Sequence, residues 1–371
     1  MSRKSIAFIG GGTNSAIGHA HISAAIMDGL WHVSPSLFSN HQDINQQTHH
    51  KFGIPWTRHY PNHIDFLDEN GSLIDLLVIA TPSPLHCQMV LDALDRNIPT
   101  LVEKPVTCSA KEAQAIEKKI KQTPGAYLRY VHNYSSYPMY KELEARVHRG
   151  EIGKVKHILA HAPSDGFART ARAGPPQPWR QKDGEIPMLA LDLATHLYHL
   201  VRRIEEPQLG QLLAISNTIT APFSVIDNMR IHCQAESGLL LDYWFSKAHL
   251  GIKNGLSISI FGSEGSISWY QENPDQITVS DLDSNNTVIN RGSIDRQISR
   301  SDRFKAGHPT GFVEAMGYFY SDLYDDAQSF SSSGEGCKWI EKYETACQGI
   351  YFLDAASQSS RNRKWENNVL V

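Results

Sequence analysis

The sequence predicts two domains: a doubly wound parallel α/β domain, followed by an α+β domain with a large, mostly antiparallel open sheet. The chain has 371 residues, which is more than a single hydrophobic core usually supports. Up to about residue 130, short apolar runs alternate with helical patterns, as in repeated β-α units. After about residue 150, long β-branched runs are separated by Gly, Asn and Asp turns, as in antiparallel sheets. The predicted domains therefore cover residues 1–131 and 132–371.

Five strands are predicted in the first domain, each at an apolar run that a helical pattern separates from the next. The run LLVIA lacks alternation and is typical of a parallel strand covered on both faces. Pro35 lies in the second run, where it removes a hydrogen-bond donor, but the strand is retained in the prediction. The strands are SIAFIGG, HVSPSLFS, IDLLVIATP, PTLVEKP and AYLRYVHN, and the helices cover 15–29, DINQQTHHKFG, PNHIDFLDENG, 84–96 and 109–121.

Within the second domain, consecutive strands replace the alternation of strands and helices after the segment RGEIGKVKHILAHAP. No internal repeat is visible in this part of the sequence. The predicted strands are LGQLLAISNTIT, NMRIHCQAES, GLLLDYWFSKAH, GLSISIFGSEGSISWY and QITVSDL, and helical patterns interrupt them at 187–203, 311–329 and 341–360.

The composition argues against several classes of function. A formal net charge of −4 provides no basic surface, so we expect no nucleic-acid partner. The first apolar run is too short for a signal peptide, and no run of 18 apolar residues follows it, so we expect no membrane association. The five cysteines are scattered without C-x-x-C pairing, which predicts a reduced, cytoplasmic protein.

The stretch IAFIGGGTNSAIGHAH places glycines between an apolar strand and a helical pattern. Gly10 and Gly12 fit the first two positions of the dinucleotide-binding motif G-x-G-x-x-G, but Ser15 stands at the third. The third glycine normally serves helix–strand packing, so an expanded loop transfers that role to Gly18. The glycine turn and the helix N-terminus still supply N–H groups for a pyrophosphate. A simple turn at the end of a strand is the alternative, but the β-α units that follow favour a Rossmann-type cofactor site.

A dinucleotide bound there would contact both the glycine loop and the end of the second strand. Thr13 and Asn14 are candidates to touch the pyrophosphate, and Ile17 is a further candidate in the helix that follows. An acidic residue would hold the ribose hydroxyls at the end of the second strand, but here Ser39 and Asn40 occupy that tip. Nothing basic there demands a 2′-phosphate either. We therefore expect NAD as the cofactor, and the sequence leaves NADP open.

The strand PTLVEKP ends in Glu103, Lys104 and Pro105, at the edge of a parallel sheet where ligands bind. A partly desolvated lysine beside a cofactor can hydrogen-bond a substrate hydroxyl and help accept its proton. An ordinary surface lysine after a strand is the alternative reading of Lys104 taken alone.

A second polar group lies in the apolar helical pattern PMLALDLATHLYHLV. Asp192 and His196 are four residues apart, so a helix places both on one face. A buried polar pair is costly unless it is functional or well paired, and a hydrogen-bonded core histidine is the alternative. His199 could join the two as a metal ligand, but no further ligand cluster accompanies them, and no metal is expected.

Several motifs together resemble one enzyme family over almost the whole chain. The first domain, VIATPSPLH, EKP and DLATH resemble the glucose–fructose oxidoreductase/inositol dehydrogenase/MocA family. The segments GGGTNSAIGHAH, HNYSSYPM, PWRQ and GHPTGFVEAMGYFY resemble a branch of that family that contains levoglucosan- and inositol-type sugar dehydrogenases. One departure is the segment DGEIPMLALD, because family members often have a glycine-rich turn before the D-x-x-x-H helix. No single sugar specificity is therefore transferred.

The resemblance implies a role for each matching residue. Lys104 and His196 would flank the reacting carbinol, and one of them would accept the hydroxyl proton. Asp192 would bind a sugar hydroxyl and His308 would reach the substrate, although His308 could instead simply precede a helix. Pro82 and Trp179 also have purely structural alternatives. The implied cofactor contacts are Thr81, Pro82, His86, Glu103, Lys104, Asn133, Trp179 and Arg180.

The expected function is transfer of a hydride between NAD(P) and a secondary alcohol of a sugar, sugar derivative or cyclic polyol. One alternative is a glycosidase that retains NAD and uses transient oxidation to eliminate a leaving group. Another is a non-catalytic regulator that senses NAD(P). From the resemblance, we also expect a homodimer or homotetramer formed through the second-domain sheet.

Overall fold

The computed structural model describes residues 3–169, 177–220, 224–294 and 303–367. The chain divides into two compact units, and each of them contains segments that are distant in sequence. The first unit comprises Met1–Asn133 and Gly311–Cys347, and the second comprises Tyr134–Thr310 and Gln348–Val371. The segment 311–347, which the sequence division assigned to the second domain, therefore belongs to the compact unit that contains the N-terminal residues.

The first unit contains a five-stranded parallel sheet with the order β2-β1-β3-β4-β5, which confirms the doubly wound prediction. The buried strand LLVIA is the central strand of this sheet, β3. The strands are β1 (Lys4–Gly10), β2 (Trp31–Val33), β3 (Leu76–Ala80), β4 (Thr100–Val102) and β5 (Leu128–Tyr130). The helices are α1 (Ala16–Ile26), α2 (Gln42–Phe52), α3 (His63–Asn70), α4 (His86–Asp95) and α5 (Ala110–Lys121), with 3₁₀ turns at Gly71–Leu73 and Ser83–Leu85.

The second strand is shorter than predicted, and its proline explains why. β2 ends at Val33, two residues before Pro35, which has no N–H to donate to the sheet. The Ser36 hydroxyl accepts a hydrogen bond from Phe8 N–H at 3.0 Å and so replaces a backbone acceptor. The chain pairs with β1 again at Leu37, whose N–H donates to the Phe8 carbonyl at 2.9 Å. The chain therefore continues alongside β1 after Val33, although its backbone hydrogen bonds to β1 are interrupted at Pro35.

The second unit contains a nine-stranded sheet with the order β13-β12-β11-β10-β6-β9-β8-β7-β14. All its neighbouring strands are antiparallel except the pair β6 and β9, which confirms the mostly antiparallel prediction. Its strands are β6 (Val155–Pro163), β7 (Leu209–Asn217), β8 (Asn228–Ala235), β9 (Leu240–Ser246), β10 (Ser257–Gly262), β11 (Gly265–Tyr270), β12 (Gln276–Asp281), β13 (Asn286–Asn290) and β14 (Glu366–Asn367). Its helices are α6 (Pro138–His148) and α7 (Thr195–Ile204), with a π turn at Ala190–Ala194 and 3₁₀ turns at Asn133–Ser136, Pro178–Gln181 and Arg291–Ser293.

Two long helices follow, α8 (Phe312–Ser333) and α9 (Tyr343–Asn362). The side chains of Met316, Phe319 and Leu323 on α8 lie in one buried apolar cluster with residues of β1 and β3. Within the same unit, the buried Arg129 Nε lies 2.8 Å from the Asp326 carboxylate, which also accepts from a tyrosine hydroxyl. Apolar burial and a paired buried charge therefore attach α8 to the first unit.

No helix in the described parts of the chain is long and apolar enough to cross a membrane.

Candidate active site

The glycine turn after β1 packs closely against β3 and α1. Gly10 and Gly11 have φ values of +85° and +79°, which side chains rarely adopt. A Cβ atom on Gly10 would lie 2.6 Å from the Ala80 carbonyl oxygen on the neighbouring strand β3. A Cβ atom on Gly18 would overlap the carbonyl oxygen and the Cα of Gly11. The predicted transfer of the packing role to Gly18 is therefore confirmed.

The loop between this turn and α1 is held by local hydrogen bonds. Ser15, at the position of the missing third glycine, is the N-cap of α1, and its hydroxyl accepts from Gly18 N–H at 3.3 Å. The Thr13 N–H donates to the Thr48 hydroxyl at 3.0 Å. Because this backbone donor is already used, Thr13 would contact a phosphate through its side-chain hydroxyl. Asn14 is exposed beside the start of the helix. Contacts of these residues with a pyrophosphate remain a prediction.

The remaining candidates around the adenosine end occupy three different environments. Ile17 is partly buried and packs against the apolar core, so it has a packing role in addition to any contact with a ligand. The Ser39 hydroxyl accepts from the His41 N–H at 3.1 Å, whereas Asn40 is exposed at the tip after the second strand. Asp43 lies in the first turn of α2, beyond that tip.

The loops after β3 and β4 are tied together by His86. Its Nδ1 lies 2.7 Å from the Pro105 carbonyl oxygen, and its Nε2 lies 2.9 Å from the Thr81 carbonyl oxygen. The ring is only 1% exposed, and burial lowers the pKa of His86 despite these contacts. A neutral imidazole donates from only one nitrogen, so one of these contacts is a hydrogen bond and the other is a close approach to a carbonyl oxygen. His86 thereby positions the loop at Thr81 and Pro82, and its contact with a cofactor remains a prediction.

Glu103 and Lys104 follow β4 at the same edge of the sheet. Glu103 is 5% exposed; His21 Nε2 lies 2.9 Å from its Oε1, and its Oε2 accepts from the Lys104 N–H at 3.0 Å. Burial acts to raise the pKa of Glu103, but the hydrogen bond from His21 and the positive charge of Lys104 lower it below its ordinary value. Glu103 is therefore an anion beside the half-buried Lys104.

In the second unit, Asp192 is the centre of an ionic cluster. It lies in the π turn Ala190–Ala194, a distortion that often marks functional positions in helices. Its Oδ2 accepts from Arg180 Nη1 at 2.7 Å and also from Lys247 Nζ. Two cations from other segments thus fix the carboxylate, and the structure brings together Asp192 and Arg180 from the predicted set.

Lys247 is a partner of Asp192 that sequence reasoning missed. It directly follows β9, and its side chain is 15% exposed. A lysine immediately after a strand is the same signal that identified Lys104, but the strands of an antiparallel sheet do not all end at one ligand-binding edge. The segment WFSK therefore contains a lysine directly after a strand, but this pattern does not indicate a site in an antiparallel sheet.

The two histidines of α7 have different surroundings. His196 is 8% exposed, and its ring packs edge-on against Tyr134 with the centroids 4.7 Å apart. His199 is 2% exposed, its Nε2 lies 2.9 Å from the Ser135 hydroxyl, and burial lowers its pKa well below the ordinary value. His199 is thus a core histidine satisfied by a neighbour. In the described ranges, no three or more His, Cys, Asp or Glu side chains are arranged to hold a metal ion.

The loop that carries His308 is fixed through its backbone. The buried Arg291 donates from Nη1 to the Phe304 carbonyl oxygen at 2.8 Å and from Nη2 to that of His308 at 2.6 Å. The Thr310 hydroxyl donates to Asp275 at 2.7 Å, and Asp275 lies 3.2 Å from Arg291 Nε. The His308 side chain is exposed, and its contact with a substrate remains a prediction.

The last predicted cofactor contacts are Asn133, in the first unit, and Trp179 and Arg180, in the second. Trp179 and Arg180 share a 3₁₀ turn, with the guanidinium 4.3 Å from the indole centroid. Asn133 is 2% exposed, and its Nδ2 has no hydrogen-bond partner among the described residues. An unsatisfied buried donor is costly, which fits a position completed by a bound ligand.

Comparisons with known proteins give the family of the chain. The family model described as an oxidoreductase family with an NAD-binding Rossmann fold (GFO/IDH/MocA) matches residues 4–129, and the GFO/IDH/MocA C-terminal domain matches residues 140–268. The chain is 25% identical to the uncharacterized oxidoreductase YfiI of Bacillus subtilis over 94% of this chain and 96% of that protein. It is 26% identical to the scyllo-inositol 2-dehydrogenase (NAD(+)) of the same organism over 55% of this chain and 56% of that protein.

Solved structures share the same fold. An inositol dehydrogenase homolog from Azotobacter vinelandii, solved in complex with NADH and myo-inositol, superimposes with a TM-score of 0.89 at 21% sequence identity. The superposition covers 99% of this chain and 98% of that one. The resemblance inferred from the sequence motifs is confirmed: the chain belongs to the GFO/IDH/MocA family of oxidoreductases with an NAD-binding Rossmann fold.

Proposed function

We propose that this protein is an NAD-dependent dehydrogenase that oxidises a secondary alcohol of a sugar, sugar derivative or cyclic polyol. One observation carries the proposal: the glycine turn, Thr81 and the pair Glu103–Lys104 follow β1, β3 and β4, three adjacent parallel strands. Their carboxyl ends meet at one sheet edge, and the order reverses between β1 and β3, which is where such sheets bind ligands. Relatives named as inositol dehydrogenases support a polyol as the substrate.

The residues that would hold NAD fit the requirements of a dinucleotide. The side-chain-free turn at Gly10 and Gly11 lets the backbone approach a pyrophosphate, and the start of α1 supplies the positive end of a helix dipole. Asn133 Nδ2 is a buried donor that a bound group would satisfy. When bound, NAD supplies the hydride acceptor at C4 of its nicotinamide ring.

The side chains of the protein supply positioning and proton transfer. Lys104 or His196 accepts the proton of the substrate hydroxyl as the carbinol carbon loses its hydride. Asp192, held by Arg180 and Lys247, is an oriented anion that accepts a hydrogen bond from a second sugar hydroxyl. His308, on a loop pinned by Arg291, provides a further polar contact to the substrate.

A panel of alcohols tests this function. The purified protein is mixed with NAD or NADP and with myo-inositol, scyllo-inositol, levoglucosan, simple hexoses and a long-chain aliphatic alcohol, and absorbance is followed at 340 nm, the NADH band. We expect NAD reduction with at least one cyclic polyol or sugar and none with the aliphatic alcohol. Tight NADH binding without oxidation of any sugar or polyol would contradict the proposal. Release of a leaving group from a glycoside without net NADH would instead identify an NAD-retaining glycosidase.

We also propose that the protein self-associates through the open face of the nine-stranded sheet. The strand register places four exposed apolar side chains on that one face: Ile215, Phe261, Tyr270 and Val288. Exposed apolar side chains that share one face of a sheet would be buried if that face packed against a second copy of the chain. Sedimentation velocity at micromolar concentration should give a dimer or tetramer, and a persistent monomer would count against this interface.

A cytoplasmic location is part of the same proposal. All five cysteines are free thiols, as expected in a reducing compartment, and cell fractionation is the direct measurement.

A further inference from the structure

Three buried side chains in the first unit form a continuous hydrogen-bonded chain. His21 on α1 lies between Glu103, after β4, and Tyr320 on α8. Its Nε2 is 2.9 Å from Glu103 Oε1, and its Nδ1 is 2.7 Å from the Tyr320 hydroxyl. His21 is 0% exposed and Tyr320 1%, so neither side chain reaches solvent. The proposed function uses Glu103 but gives no role to His21 or Tyr320.

The chemistry of the three groups assigns a donor and an acceptor to each hydrogen bond among them. Glu103 is an anion and can only accept, so His21 donates to it from Nε2. In the tautomer with its proton on Nε2, Nδ1 is an acceptor, and the Tyr320 hydroxyl satisfies it by donating. Burial raises the pKa of Tyr320 well above its ordinary value, and the charge of Glu103 raises it further, so the phenol keeps the proton that it donates. Every polar atom in this buried chain is thus paired.

Further hydrogen bonds hold Tyr320 and Glu103, the two outer residues of this hydrogen-bonded chain. At one end, the Tyr320 carbonyl oxygen accepts from Trp31 Nε1 at 3.0 Å, which holds α8 against the start of β2. At the other end, Glu103 Oε2 accepts from the Lys104 N–H at 3.0 Å. One carboxylate therefore joins the buried histidine to the backbone of the residue proposed as acid or base. Low exposure strengthens each of these hydrogen bonds and makes an unpaired member costly.

We propose that His21 and Tyr320 are positioning residues that hold Glu103 as a preorganised acceptor for a hydroxyl of the cofactor's nicotinamide ribose and fix the Lys104 backbone. This inference rests on the proposed function, because it assumes that NAD binds at the ends of β1, β3 and β4. The proposal also gives α8 a functional role. This helix belongs to the first unit, although its residues follow the segment Tyr134–Thr310 of the second unit in the sequence. The motifs GHAH and GYFY each contribute one member of the chain.

The test removes the terminal donor with the smallest change of shape. In Tyr320→Phe, His21 Nδ1 loses its donor, so the imidazole is free to change tautomer or rotate away from Glu103. We expect the Kd for NADH, measured by fluorescence, and the KM for NAD to rise by about tenfold, the effect of one lost hydrogen bond at a buried charged network. The thermal midpoint is recorded for every variant. Tyr318→Phe is the matched control, because that hydroxyl donates within the same helix to Glu314 at 2.9 Å; its NADH affinity should stay within about twofold.

A double-mutant cycle separates positioning from a general loss of packing. In a Glu103→Gln background the acceptor of the chain is already altered, so adding Tyr320→Phe should weaken NADH binding by less than about twofold more. His21→Gln alters the middle residue of the same hydrogen-bonded chain. In the Glu103→Gln background it should likewise weaken NADH binding less than it does alone. Additive losses, or a Tyr320→Phe affinity equal to that of wild type, would overturn the inference.

The two proposals fail in different ways. If the wild-type protein oxidises no polyol but binds NADH, the NADH affinities of the variants still decide whether the chain positions Glu103. If the wild-type protein binds no NADH, the proposed function fails and this inference fails with it. If the wild type is active and the variants bind NADH normally, only the positioning role is wrong.

Discussion

Replacing Lys104 with methionine is expected to lower kcat for polyol oxidation by about 10²- to 10⁴-fold, the range that a positioned acid or base contributes. Methionine has a similar length and no proton to exchange. The Lys104 N–H, which holds Glu103 at 3.0 Å, is retained because it belongs to the backbone. NADH affinity should therefore change by less than about fivefold, a cost of 1 kcal/mol or less. Stopped-flow single-turnover kinetics and fluorescence titration measure the two quantities separately.

Lys111→Met is the matched control for this experiment. Lys111 is an exposed lysine in the second position of α5, within the same compact unit, so the same change of charge and shape should leave kcat unaltered. An active Lys104→Met variant with a normal kcat would remove Lys104 from the mechanism and leave His196 as the candidate for proton acceptor.

Replacing Gly18 with alanine is expected to weaken NADH binding on the order of 100-fold, because a small displacement of a binding element has effects of that size. The added methyl group would overlap the backbone of Gly11, which cannot rotate aside as a side chain could. α1 must then move away from the turn, and its N-terminal N–H groups move with it. Overpacking costs about 1–3 kcal/mol, and the better helix propensity of alanine offsets about 1 kcal/mol of that. Isothermal titration with NADH and urea unfolding measure the two effects.

Gly311→Ala provides the comparison for Gly18→Ala. Gly311 precedes α8 in the same unit with φ −86°, and a Cβ atom there would meet no heavy atom within 4 Å. The same substitution at this open position should change NADH affinity by less than about twofold. Equal affinities for the two variants would show that close packing of α1 on the turn does not matter for the cofactor.

Features that depend on neighbours in the chain could be read from the sequence. The strand–turn–helix pattern around Gly10 and the shift of the packing contact to Gly18 involve residues only a few positions apart. Lys104 follows a predicted parallel strand, and the topology of such a sheet places that position at the ligand edge. The interruption of the second strand at Pro35 was signalled by the proline itself, although Ser36 as the substitute acceptor was not.

Contacts between distant segments could not be read in this way. His21 and Tyr320 are 299 positions apart, and nothing in GHAH or GYFY names the other as a partner. Lys247 and Asp192 are separated by 55 positions, and the lysine carries no pattern that distinguishes it from other lysines after strands. The π turn at Asp192 also escaped a prediction that assumed ordinary helical spacing. Such pairings arise from packing, which a single sequence does not encode position by position.

The sequence by itself determined the two fold types, the family, the glycine turn and the principal polar residues, because local periodicity and short motifs encode them. The tertiary structure decided that residues 311–347 belong with the N-terminal sheet, since the apolar face of α8 is buried there. It also decided that His86 ties two loops together and that Lys247 and Arg180 hold Asp192. The physical reason is that burial and hydrogen-bond satisfaction are properties of the folded chain, in which each polar group must find a partner irrespective of its position in the sequence.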